Sequence, residues 1–191
     1  MKPGSVAFLI CAALSGPAAE AQTRSELPNP LSTVLRRQFE GVLQLVVRAA
    51  EKMPEAEYGF KPTPDVRSFG QLVGHVAASN FLMCSAALGE SEPQFAVDLR
   101  AATTSKPDLQ RALTAAVEYC QRAYAFTDDQ LADVVPERRV GVRMQPLVFN
   151  AGHNYEHYGN MVTYMRLKGL VPPSSERPEI EQQLQQGQPN R

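Results

Sequence analysis

The sequence predicts an all-α fold, a four-helix bundle, and two observations predict it. Four separate windows repeat apolar side chains every three or four residues, the period of a helix that buries one face. Prolines, glycines and short polar cap residues fall between those windows, where helices start and stop. The chain has 191 residues, 43% of them hydrophobic, which suits one domain with a sizeable core.

The N-terminus stands apart from this pattern. Lys2 gives a positive start, Val6 to Leu14 is apolar, and Ala19-Glu20-Ala21 offers an A-x-A cleavage site. Residues 1–21 therefore read as a secretory signal peptide, which predicts a periplasmic or secreted protein. Ile10 precedes Cys11 where a lipoprotein signal needs a small residue, so lipidation is not expected. Residues 22–30 are polar with two prolines and form a linker, and the domain is expected over 31–175.

Helix one carries Leu31, Val34, Leu35, Gln38, Val42, Leu45, Val46, Ala49 and Met53 on its stripe. Pro54 and the segment Lys61-Pro62-Thr63-Pro64 end it. Ser68 is the N-cap of helix two, residues 69–88, closed by Gly89. Its inward stripe is Leu72, His75, Val76, Ser79 and Met83. Ser105 to Pro107 opens helix three, with Leu109, Leu113, Ala116, Val117, Cys120 and Tyr124 inward. Residues 129–135 form a short turn that suits a helix, and 137–142 a basic loop or brief extended piece. The last long helix starts near residues 144–146 and ends at Gly169, before Pro172-Pro173. Residues 176–191, rich in Glu, Gln, Pro and Arg, read as a flexible tail.

Nineteen basic and twenty acidic residues give a net charge of −1, with no basic face, so nucleic acid is not an expected partner. No apolar run reaches the roughly 18 residues of a membrane span, so no span is expected in the mature chain. Cys84 and Cys120 fit either a disulfide, if their Cα atoms come within about 7 Å, or two inert core thiols; the helical pattern around each favours the thiols.

The three histidines carry the chemistry. His153 and His157 stand four apart in Gly152-His-Asn-Tyr-Glu-His-Tyr-Gly159, on one face of the last helix, where both can reach a cation. His75 lies in the apolar stripe of helix two, where a buried imidazole needs a partner. The last helix also puts Asn150, Asn160 or Met161, and Tyr164 on that face, polar where a purely structural helix would place Leu or Val. A bundle builds its sites from such facing residues. His153 to His157 also matches the H-x-x-E-H protease pattern, in which Glu156 would be the base, but too little chain follows for the rest of a protease domain.

Three stretches together resemble the DinB superfamily of DinB/YfiT-like metalloenzymes, over roughly 31–175. They are the run from Tyr58 to His75, the run from His153 to Gly159, and Tyr164-Met-Arg-Leu-Lys-Gly-Leu-Val-Pro-Pro-Ser-Ser175. The resemblance implies an up-down-down-up bundle with a long crossover between helices two and three, frequently a homodimer. It also implies a metal on three histidines, which match His75, His153 and His157 here; some relatives are thiol transferases or thiol-dependent isomerases.

The expectation is thus one divalent transition metal (Zn, Ni, Fe, Mn, Co or Cu) in a metal-dependent hydrolase or transferase of an unknown small-molecule substrate. Glu156 is the candidate catalytic residue, with Tyr155 and Asn80 as further proton-handling candidates. The alternatives are a noncatalytic, stress-related metal-binding bundle and a partner-binding bundle whose histidines are only hydrogen-bonded.

Overall fold

The computed structural model of the chain describes residues 27–99, 105–135 and 141–176. The expected leader, most of the linker, the core of the 137–142 loop and the tail beyond Glu176 lie outside the described residues.

Six helices follow one another: α1 (Pro30–Lys52), α2 (Phe69–Leu88), α3 (Gln94–Leu99), α4 (Lys106–Tyr124), α5 (Asp128–Ala132) and α6 (Met144–Leu167). The four long ones form the bundle. α1 and α2 each pack on α4 and α6, so they occupy opposite corners of the bundle. The stretch between α2 and α4 is the crossover, and α3 is a helix within it that the sequence pattern does not single out.

The caps act where the sequence places them. Ser68 and Gln71 form a reciprocal capping box at the start of α2, each side chain bonded to the other's backbone N–H. Gly89 and Gly169 close α2 and α6 with φ of 76° and 70°, a conformation that costs a glycine nothing. α1 ends differently: Leu31 and Ser32 donate their backbone N–H groups to the Asp128 carboxylate, at 3.1 and 2.8 Å, so α5 caps α1 from outside.

The α1 stripe is displaced from the expected one. Phe39, Leu43 and Ala50 join Val42, Val46 and Ala49 in the core, whereas Leu31 and Val34 remain 60% and 55% exposed. Leu31 and Val34 instead line an open groove with Met144, Val148 and Tyr155 of α6, so periodicity there reports a shared face but not burial. α2 is the most enclosed helix. It is long and apolar enough by composition to cross a membrane, yet most of it is buried between α4 and α6. Gly74 lets α4 approach, since a Cβ there would lie 3.1 Å from Leu109.

Cys84 and Cys120 are joined in a disulfide that links α2 to α4, with Cα atoms 5.3 Å apart. This corrects the inert-thiol reading. Periodicity puts both sulfurs inward but is blind to their height along two different helices, and here the heights coincide. Glu176, the first residue of the expected tail and the last described, is tied down: it pairs with Lys52 at 2.6 Å and with Arg48.

Candidate metal centre

The middle of α2 faces the middle of α6, and the three histidines meet there. Nε2 of His153 lies 3.1 Å from Nε2 of His75 across the interface and 3.1 Å from Nε2 of His157 one turn on. One ligand atom from each falls within 4.8 Å of the others. At metal–nitrogen distances of about 2.0–2.1 Å, two imidazoles on one ion stand roughly 3.0 Å apart at a right angle and about 3.4 Å apart at a tetrahedral angle. The observed spacing sits between those values.

Hydrogen bonding alone serves this cluster poorly. A ring nitrogen offers either one proton or one in-plane lone pair, so Nε2 of His153 can pair well with one neighbour, not with two. A cation accepts all three lone pairs at once. The residues therefore fit a divalent metal, and their all-imidazole donor set suits a borderline transition ion.

The protonation states agree. Burial, with the neighbouring His157 charge second, pushes the His153 imidazole down to about 4, and burial likewise lowers His157. Both rings are neutral at physiological pH and free to ligate. Because their folded values lie below the unfolded value of about 6.5, the folded chain binds fewer protons than the unfolded one. The stability these rings contribute is complete above pH of about 6.5 and is lost as pH falls toward 4. Thermal melts of metal-free protein are expected to decline over that window, and His153→Ala is expected to flatten the decline; an unchanged pH profile in the variant would contradict this.

Outer contacts are uneven. The Asn160 amide nitrogen lies 3.3 Å from Nδ1 of His157; with Nε2 reserved for a metal, Nδ1 carries the proton, and the flipped amide presents the oxygen that proton needs. Nδ1 of His153 is buried without a hydrogen-bond partner among the described residues.

Below the histidines lies a polar layer, of which the sequence reading named Asn80 and Asn150 but missed Asn154. Asn80, Asn150 and Asn154 are fully buried. The Asn80 and Asn154 amides pair reciprocally at 3.0 and 3.2 Å, and Asn150 donates to Asn80 Oδ1 at 2.9 Å and to the Tyr124 hydroxyl at 3.2 Å. This layer fixes the register of α6 on α2, and so the facing positions of the histidines. Asn80 is thereby spent on structure and does not handle protons at the site. Tyr155 is also excluded, because it projects to the opposite side and donates to Gln38 on α1 at 2.9 Å. The signal for Asn154 was present as a third polar residue one position after His153.

Glu156 is exposed and lines a cleft of about 770 Å³ together with His157, Asn160 and Tyr164; residues 61–67 form the opposite wall. A second cleft of about 710 Å³, between α1 and α4, is walled by Phe39, Leu43 and Val47 and contains none of the histidines. Volume alone therefore does not locate the chemistry; the donor atoms do.

The DinB superfamily profile matches residues 38–161, a span that includes all three histidines. Among solved structures, a DinB-like protein from Bacillus cereus ATCC 10987 is similar with a TM-score of 0.60 and 18% identity, over 73% of this chain and 93% of that one. A conserved protein from Enterococcus faecalis is similar with a TM-score of 0.59 and 18% identity, over 72% of this chain and 96% of that one. At this identity the two structures speak for the fold alone. A comparison with curated proteins finds no match.

Proposed function

Since this chain belongs to the DinB superfamily, we propose that it is a metal-dependent hydrolase or transferase of a small molecule, holding one divalent transition-metal ion on His75, His153 and His157. The observation that carries this reading is the convergence of the three Nε2 atoms, with one of the three residues, His157, lining an open cleft. Such an ion, once held, supplies Lewis acidity to a coordinated group.

This chain's own residues do the rest. Three neutral imidazoles use only part of an ion's coordination sphere, leaving room for an exogenous ligand. Glu156, one residue before a ligand and on the cleft wall, is the group suited to accept a proton from a nucleophile there. The Asn80, Asn150 and Asn154 layer holds the ligand-bearing helices in register.

Turnover screening with ester, amide and thiol substrates tests the reading. His75→Ala is expected to abolish any turnover found, and Glu156→Gln to lower it by about 100-fold or more, the usual size of a general-base contribution. Rates equal to the native protein in both variants would leave the noncatalytic metal-binding reading in its place.

Export accompanies this reading. The positive start, apolar stretch and A-x-A site of residues 1–21 support it, and a buried disulfide suits an oxidising compartment. The mature protein from its native host is expected to begin at Gln22; a chain still beginning at Met1 in the extracytoplasmic fraction would count against cleavage.

A further inference from the structure

We propose that the cleft beside His157 takes an anionic small molecule, whose carboxylate or phosphate is anchored by Arg67 while its reacting end faces the histidines. This rests on the metal-site reading above and assigns it a substrate class.

The cleft brings Lys61 and Arg67 on one wall to face Glu156 and His157 on the other. Neither cation has a side-chain hydrogen bond or salt bridge among the described residues, although Arg48, Lys52, Arg111, Arg122, Arg143 and Lys168 all pair with carboxylates. Arg67 and the ligand His157 line the same cleft. An unpaired guanidinium facing a cleft is a ready fork for a planar oxyanion.

The loop that carries it is fixed rather than loose. Tyr164, on α6 two turns past His157, donates its hydroxyl to the Arg67 carbonyl at 2.8 Å. Phe60, at the start of the loop, packs edge-on against the Tyr164 ring, and its own face carries the Lys168 ammonium, 4.0 Å from the ring centroid. The Ser68 capping box holds the residue that follows. Arg67 is thus positioned by the same helix that positions two of the metal ligands, so anchor and reacting centre keep a set separation.

The charge balance favours an anion. Asp65 and Glu156 offset Lys61 and Arg67 on the cleft walls. Two positive charges from a bound ion then leave the cleft cationic overall.

Calorimetric titration of full-length protein, metal-loaded and metal-free, with succinate, inorganic phosphate and neutral succinamide tests this. Succinate or phosphate is expected to bind the loaded protein and succinamide not to, and the tighter of the two anions identifies the headgroup. Arg67→Ala should weaken that binding at least tenfold with metal content and melting temperature unchanged, and Arg67→Lys should restore part of it. Equal binding to native and Arg67→Ala protein, or no anion binding at millimolar concentration, would overturn the proposal. If the native protein holds no metal yet binds anion through Arg67, the metal reading fails and the anchor stands; metal retained with Arg67-independent binding is the reverse.

Discussion

Replacing His153 with alanine is expected to reduce metal affinity by more than about 100-fold, beyond the 10- to 100-fold typical of losing an outer-sphere partner. His153 is the central member of the cluster, because its Nε2 is the atom 3.1 Å from both other imidazoles. Its loss leaves two imidazoles, His75 and His157, with ring centroids 4.6 Å apart, to hold the ion in place of three. The metal-free fold should survive, since the substitution also removes a buried Nδ1 that has no partner among the described residues. The signature is therefore specific: saturating metal, at about 1,000 times the native Kd, should stabilise the native protein by about 4 kcal/mol and the variant by about 1.4 kcal/mol or less. Equilibrium dialysis and thermal melts with and without metal measure both. A variant that keeps stoichiometric metal would remove His153 from the ligand set.

Removing the Cys84–Cys120 crosslink is expected to have the largest effect on stability. The bond closes a loop with a sequence separation of 36 residues. In the chain-entropy model, opening a loop of that length costs about 4 kcal/mol, which for a domain of this size lowers the melting temperature by roughly 10 °C. Both sulfurs are fully buried, so reductant should act slowly on the folded protein. The Cys84→Ala/Cys120→Ala double variant, compared by calorimetry with oxidised native protein, measures the cost. An unchanged melting temperature would mean that the crosslink does not constrain the chain.

Much of this was legible in the sequence because the signals were local. Ser68, Gly89, Ser105 and Gly169 mark helix ends through backbone geometry that needs no knowledge of neighbours. The spacing of His153 and His157 likewise fixes a shared face, and His75 stood out as the polar member of an apolar stripe.

What escaped depended on which helices pack on which face. Each helical residue advances about 100° around the axis, so Asn154 sits about 100° from His153 on one side and Glu156 about 60° on the other. α6 packs on both α1 and α2 and thus buries a broad face. Asn154 falls inside that face, Glu156 at its cleft edge and Tyr155 at its α1 edge. From one sequence the width of the buried face is unknown, and these three residues cannot be told apart. Leu31 and Val34 failed for a related reason: they line a groove with α6 that stays open to solvent, and periodicity does not reveal how closely a neighbouring helix packs. The cysteine pair turned on the relative height of α2 and α4, which only the packed bundle sets.

X-ray absorption spectroscopy of protein purified from its native compartment tests the central claim most directly. The account predicts one transition-metal ion per chain with three imidazole nitrogens at about 2.0–2.1 Å and remaining positions filled by light atoms. A metal-free protein that also fails to load, or an ion whose scattering contains no imidazole shell, would contradict it.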